Sequence, residues 1–345
     1  MIEIDASEGE GGGQVLRSSL TLSMLTGQAM HLTKIRGGRP KPGLMRQHLA
    51  CVTGAQAICG ARVEGAALGS TELRFEPGPL KAGHYRFEIS TAGSCLLLLQ
   101  TLWPALMQAQ GASELELTGG THNPMAPAFP FIEQSYAPLL ARLGAPAELS
   151  LRRAGFYPAG GGQLKVSIPG QAQLDPFDLL EPGPLRAAGA ACMAPALPRA
   201  VAERQLEALG AALAWPPEQL QVMPCRQNEG PGNALWIWQA HEHLNTVFCS
   251  ISEKGEPGAA VAQRTVRALS QHLETGAALD VHLADQWLLP LALAVRQSGR
   301  AAAFTASAWS LHAQTNASLI ERWLPLQIRT QPRERGGVRV DVSSL

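Results

Sequence analysis

Three times along the chain one order of short apolar segments returns: strand, helix, strand, helix, strand, strand. The first pass occupies residues 2–5, 14–26, 31–35, 44–58, 61–64 and 72–76. The second occupies 85–90, 94–108, 114–118, 131–143, 148–152 and 163–168. The third occupies 279–283, 285–297, 302–306, 312–323, 325–329 and 338–342. Apolar periods near 2 and near 3.6 alternate throughout, the pattern of helices layered on sheets. The expected fold class is α/β, layered in the α+β manner, with three repeated βαβαββ units forming one large domain. That domain takes residues 1–184 and 276–345, and residues 185–275 read as a smaller inserted α/β domain. The insert follows the turn-rich Pro182-Gly183-Pro184 and carries a helix over 199–213 and strands over 234–239 and 246–252. Asn228-Glu229-Gly230-Pro231-Gly232-Asn233 reads as a loop within it.

Composition narrows the class of protein. With 46% apolar and 16% charged residues in 345, the chain can bury a large core. It has no uninterrupted apolar run of about 20 residues, so no membrane span is expected. Glu3, Asp5 and Glu8 replace the apolar stretch of a secretory signal. Six cysteines without a CxxC pair suit reduced thiols, so a cytoplasmic protein is expected. Net charge is zero, yet residues 11–63 hold no Asp or Glu while Arg17, Lys34, Arg36, Arg39, Lys41, Arg46 and Arg62 fall inside. That window predicts one local anion-binding surface on a neutral protein.

The window opens within Glu8-Gly9-Glu10-Gly11-Gly12-Gly13-Gln14, between the first strand and the first helix, with Glu8 and Glu10 just ahead of it. Such a turn lets the backbone approach a bound group, and free N–H groups at the helix start favour an anion. Glu10 is placed to hold a divalent metal and Arg17 to reach a phosphate one turn on. The run matches neither G-x-x-x-x-G-K-[ST] nor G-x-G-x-x-G, and structural turns account for many such sequences. Helix starts elsewhere carry polar residues: Ser94 precedes a helix containing Gln100 and Thr101, and Asp285 reads as a cap suited to a ribose hydroxyl. His241-Glu242-His243 lacks the spacing of a metal site and reads as a solvated strand end. His312 opens a helix, where the dipole favours a neutral ring beside negative charge. The residues alone leave structural and catalytic readings of His312 both open.

Taken together, eight stretches resemble the RNA 3'-terminal phosphate cyclase family along nearly the whole chain. They are EGEGGGQVLRSSLTLSMLTG (8–27), IRGGRPKPGLMRQHL (35–49), STAGSCLLLLQTLWPALM (90–107) and ELTGGTHNPMAPAF (116–129). The others are GFYPAGGGQLKV (155–166), NEGPGNA (228–234), LADQWLLPLALA (283–294) and HAQTNASLIERWLP (312–325). The resemblance implies a histidine that attacks the α-phosphate of ATP, forming histidyl–AMP. The AMP then passes to an RNA 3'-phosphate, and the 2'-hydroxyl closes a 2',3'-cyclic phosphate. By the same resemblance His312 matches the nucleophile. Gln100, Pro124, His282, Leu283, Ala284, Asp285 and Gln286 match ATP-contacting positions. Arg17, Arg36, Arg39 and Gln47 match phosphate- and RNA-handling positions, and Glu10 matches the acid linked to Mg²⁺ or Mn²⁺. RNA with a 3'-phosphate end and ATP are the implied partners, with no obligate protein partner evident.

Two residues depart from the family's pattern: His122 where an acid is expected, and His282 where an aromatic ring is expected against adenine. Nucleolar members lacking the histidine act in ribosome assembly, so a non-catalytic RNA-binding protein is the alternative; His312 argues against it. Carboxyvinyl transferases share the repeated unit, but would need neither that histidine nor a basic window.

Overall fold

A computed structural model of the chain describes residues 1–226 and 228–345. In the first sheet, β1 (Ile2–Asp5) pairs parallel with β2 (Met30–Thr33). Next to β2 lies β4 (Leu73–Glu76) and then β3 (Arg62–Glu64), both pairings antiparallel. Helices α1 (Gly13–Thr26) and α2 (Arg46–Cys59) make the two crossovers. In the second sheet β5 (His84–Glu88) pairs parallel with β6 (Ser113–Gly119), followed by antiparallel β8 (Gly162–Ile168) and β7 (Glu148–Arg153). Its order and strand directions are those of the first. Between its strands lie α3 (Cys95–Leu106) and a rod made of α4 (Phe129–Phe131), a π-helical turn Ile132–Tyr136 and α5 (Ala137–Arg142).

After these come β9 (Leu185–Met193), α6 (Arg199–Leu213), β10 (Leu220–Val222), β11 (Ala234–His241), β12 (Asn245–Ile251) and α7 (Gly258–Thr275). They form a separate sheet, ordered β10-β9-β11-β12, with a hydrophobic cluster of its own around Leu206, Leu209, Ile237 and Leu269. The last sheet has β13 (Ala302–Ala306), β15 (Val338–Ser344) and β14 (Leu326–Pro332), in that order. Helix α8 (Val281–Ser298) runs into β13, and α9 (Leu311–Trp323) follows it.

The expected strand over 279–283 does not form. Leu279 alone makes a parallel bridge to Ala306, and α8 has begun by Val281. The reason is Asp280, whose carboxylate accepts from His282 N at 2.8 Å and Leu283 N at 3.2 Å and so starts the helix early. Asp285, expected as the cap, therefore sits one turn inside α8.

One apolar core joins the three sheets outside 185–275 and encloses Trp103 and Trp287 completely. Helix α1 packs against α2, α3 and α9, and α8 packs against α9. Its Leu16, Leu20 and Leu22 are fully buried, and truncating one such residue costs about 2–5 kcal/mol. The other faces of α1 carry Ser18, Thr21 and Ser23, small enough for close helix contact. Their hydroxyls are satisfied by Asn316, by the Thr101 carbonyl and by the Gln28 carbonyl. Helix α1 and α9, nearly 300 positions apart in sequence, thereby bring their N-terminal ends together.

Candidate active site

The Gly-rich turn is held open by Gly9 and Gly11, at φ of 64° and 58°. A Cβ on Gly9 would stand 2.2 Å from Thr315 Oγ1, so this turn and the first turn of α9 lie in direct contact. Glu10 N donates to that hydroxyl at 3.0 Å, and the hydroxyl donates to the Leu311 carbonyl at 2.7 Å. Ser310 caps α9 by accepting from Ala313 N at 3.1 Å, which leaves His312 in the first turn. The Glu10 side chain is 3% exposed, whereas that of His312 is 50% exposed. Glu10 Oε1 accepts from Gln14 N at 3.1 Å, and Oε2 accepts from Arg39 Nη2 at 2.5 Å.

His312 Nδ1 lies 2.7 Å from Gln14 Oε1 and 3.9 Å from Glu10 Oε2. Gln14 Nε2 in turn donates to Asp285 Oδ1 at 2.5 Å. Asn316 Nδ2 donates to the Asp285 carbonyl at 3.1 Å while its Oδ1 accepts from Ser18 Oγ at 2.9 Å. Three helices, α1, α8 and α9, are thus tied at one point. Burial pushes the Asp285 carboxyl upward, opposed by the Gln14 hydrogen bond and by His312, Arg17 and His282.

A cleft of about 100 Å³ opens beside this junction. Its polar wall is Gln14, Arg17, Ser18, Gln100, Asp285, Gln286 and Asn316; its apolar wall is Leu97, Pro104, Tyr136, Leu289 and Pro290. Gln100 Nε2 donates to Gln286 Oε1 across it. Arg17 is desolvated enough to lower its pKa, with Cys51, Glu10 and Asp285 pulling it back. A Cβ on Gly13 would fall 2.4 Å from His48 Nε2 and 2.8 Å from Arg17 Nη1, so both groups converge on the start of α1. Burial first, then Arg17 and Arg36, push His48 down to about 3, which keeps its ring neutral at physiological pH. Met45 N donates to His48 Nδ1 at 3.2 Å, leaving Nε2 as the protonated donor aimed at this anion-favouring end.

A family model described as RNA 3'-terminal phosphate cyclase matches residues 8–330. The chain belongs to the RNA 3'-terminal phosphate cyclase family. A Ralstonia nicotianae protein of that name is 46% identical over 344 residues, spanning 99% of this chain and 97% of its own. A Pseudomonas fluorescens protein of the same name is 44% identical over 345 residues, spanning 100% and 98%. A third, from Salmonella typhimurium, is 44% identical over 336 residues, spanning 97% of each chain.

Of the positions that the cyclase resemblance singled out, Gln100, Asp285, Gln286 and Arg17 line the cleft, and Glu10, Arg39 and His312 stand at its Gly-rich end. Arg36 donates to the carbonyls of Lys41 and Gly43, at 2.5 and 3.2 Å, and helps to lower His48. Gln47 Oε1 accepts from Ser94 N at 2.8 Å, so it joins α2 to the start of α3. Leu283 and Ala284 are fully buried in the core, because Asp285 and Gln286 take the cleft face of α8. Pro124 is exposed in a tight turn and His282 is exposed at the start of α8; neither lines the cleft. Within the basic window Lys34 pairs with Asp5 at 2.6 Å and Arg62 with Glu64 at 3.2 Å, whereas Arg17 lines the cleft and Arg39 holds Glu10. His122 is buried and stacked on Phe156 with ring centroids 4.9 Å apart, away from the cleft lining. Among the described residues no cluster of three His, Cys, Asp or Glu forms, so His241-Glu242-His243 is no such site. No helix among them is long and apolar enough to cross a membrane.

Residue-type reasoning missed Gln14, Ser18, His48 and Asn316. All four lie inside the matched stretches, but amides, a hydroxyl and a lone imidazole on helices carry no signal until their partners across the fold are known.

Proposed function

We propose that the protein converts an RNA 3'-terminal phosphate to a 2',3'-cyclic phosphodiester in an ATP-dependent reaction through histidyl–AMP. The single observation that carries this reading is the placement of His312. A half-exposed imidazole, anchored by Gln14, stands at the mouth of a polar cleft beside Arg17, Arg39 and the start of α1. In the first step a His312 nitrogen attacks the ATP α-phosphorus; a P–N bond forms, the bond to the bridging oxygen breaks and pyrophosphate leaves. In the second an oxygen of the RNA 3'-phosphate attacks the same phosphorus and the P–N bond breaks. In the third the 2'-oxygen attacks the RNA phosphorus, AMP departs and the hydroxyl proton is released. Storing AMP on the protein separates activation from RNA entry.

The arginines and His48 suit phosphate binding by charge-assisted and neutral donors. The apolar wall suits the faces of adenine, with the Gln100–Gln286 amide pair at its edge and Asp285 on ribose. Glu10 offers one carboxylate, already shared between Arg39 and Gln14 N; that donor set fits a hard divalent ion whose other ligands are phosphate oxygens and water. Mg²⁺ or Mn²⁺ held there would offset charge developing on the phosphates. We further propose three repeated units, the last without its opening strand, as the catalytic body and residues 185–275 as an inserted domain that positions RNA.

The test is incubation with α-labelled ATP and Mg²⁺ or Mn²⁺. Label retained on the protein through a bond labile to acid and stable to alkali supports the reading. A folded protein that binds RNA but takes up no AMP would instead be a non-catalytic member of the family.

A further inference from the structure

We infer that Gln14 is the positioning residue that decides which nitrogen of His312 attacks, and that Asp285 sets Gln14 in turn. The inference rests on the adenylylation reading above.

An amide side chain has one donating end and one accepting end. An ionised Asp285 only accepts, so the contact of 2.5 Å to Oδ1 requires the Gln14 amino group to face it. The Gln14 oxygen then faces His312 Nδ1 at 2.7 Å, and an oxygen there requires Nδ1 to carry the proton. In the neutral ring Nε2 is left with the bare lone pair that a nucleophile needs. Turning the amide over would set its oxygen against the carboxylate; moving the ring proton would set two acceptors face to face at Nδ1. Either change breaks one of the two bonds. Gln14 is 8% exposed, so water does not readily replace a lost partner.

The other charged groups around the ring leave this assignment in place. Glu10 is 3.9 Å from Nδ1, beyond hydrogen-bond distance, and both its oxygens are taken by Arg39 and Gln14 N. Burial raises the Asp285 carboxyl, while the Gln14 hydrogen bond, His312, Arg17 from α1 and His282 from α8 oppose it and favour the ionised form. Gln14 is therefore the one neutral link between a carboxylate in the nucleotide cleft and the imidazole at its mouth. A ribose hydroxyl donating to the free oxygen of Asp285 would further favour the ionised form, so nucleotide binding and orientation of the nucleophile reinforce one another.

The full-length chain with Gln14→Met, which keeps length and removes both bonds, is the main test. In protein labelled with [¹⁵N]histidine, with the His312 signal identified by His312→Ala, we expect the wild type to show protonated Nδ1 and bare Nε2. Gln14→Met should shift the ring towards the Nε2-protonated form. At saturating ATP its rate of AMP attachment should fall about ten- to a hundredfold, the cost of a misplaced reactive group, while half-saturating ATP changes less than about threefold. Gln14→Glu keeps an acceptor at Nδ1 and should recover part of the rate. Its acid limb should lie at higher pH than in the wild type, because a carboxylate there favours the protonated ring. If Gln14→Met does not fold, Gln14→Asn, which keeps the amide but withdraws it, should show the same loss of rate. A wild-type ring protonated on Nε2, or a substituted chain with unchanged rate and pH profile, overturns the role of Gln14. A wild type that takes no AMP at all overturns the adenylylation reading instead, and the nitrogen signals still decide the tautomer.

Discussion

The Glu10 carboxylate accepts from Arg39 Nη2 at 2.5 Å, joining an almost wholly buried acid to a guanidinium that is 38% exposed. The pair spans the Gly-rich turn and the loop after β2, and Gly12 sits against both side chains. In the proposed function Arg39 would serve two partners, the acid within the site and a phosphate that enters from solvent. Arg39→Ala should lower the rate of AMP attachment about ten- to a hundredfold, the loss of one charge-assisted contact of roughly 1.5–3 kcal/mol. Arg39→Lys should recover little, because an ammonium cannot fork between carboxylate and phosphate. Single-turnover labelling at several salt concentrations is the measurement, and a full rate in Arg39→Ala would confine the residue to a surface role.

Removing the proposed nucleophile should leave the fold alone. His312 is half-exposed and makes one hydrogen bond, so His312→Ala is expected to change stability by less than about 1 kcal/mol and to abolish labelling with AMP. Urea unfolding beside the labelling assay decides it. Persistent label in the substituted chain would move the attachment elsewhere.

Gly9→Ala tests the contact between the turn and α9. At a φ of 64° a side chain costs about 1–2 kcal/mol, and the new Cβ would displace the Thr315 hydroxyl that accepts from Glu10 N. We expect a loss of stability of about that size or more, together with a loss of rate larger than for Ala substitution at Gly27, which has open space around it. Equal effects at the two glycines would show that only backbone strain matters.

His122 should make stability depend on pH. Burial lowers its pKa to about 4 from an ordinary 6.5, so the unfolded chain takes up a proton where the native one does not. The native state gains from this above pH 6.5 and loses the gain as pH falls from 6.5 towards 4. The full effect is on the order of 3 kcal/mol. His48, held down to about 3, acts in the same direction. In His122→Leu the fall in unfolding free energy between pH 7 and pH 4.5 should be smaller than in the wild type. An identical slope would mean that His122 protonates without unfolding.

Residues 185–275 should prove dispensable for the first step. They keep a hydrophobic cluster of their own, but Ala191, Trp236, Leu244 and Val247 also pack into the main core, beside bonds such as Ser135 Oγ to the Asn245 carbonyl and Arg142 Nη1 to the His243 carbonyl. Replacing them by a short flexible linker is expected to preserve labelling of His312 and to weaken cyclisation of RNA. A soluble, folded deletion protein that takes no label would show that they help to build the nucleotide site.

How far the sequence could be read depended on the range of the forces involved. Helix α6 runs from Arg199 to Leu213, the limits expected from its apolar period, because periodicity and turn residues act over a few neighbours. The strand expected at 279–283 went to helix for an equally local reason, the Asp280 cap, which an alternating Leu279-Asp280-Val281 had disguised. Helix α7 and the strand β9, by contrast, fall outside the elements expected for residues 185–275, where the repeated order gives no frame.

The sequence by itself determined the alternation of strands and helices, the family, the Gly-rich turn and the charged candidates Glu10, Arg17, Arg39, Asp285 and His312. Only the tertiary structure decided that Gln14 stands between Asp285 and His312, that His48 points at the start of α1, and that Leu283 and Ala284 face the core. Helix propensity and capping are set within a turn or two of the chain. The hydrogen-bond partners of a neutral amide are set by which helices pack together. Here that packing joins residue 14 to residues 285 and 312, across most of the chain's length.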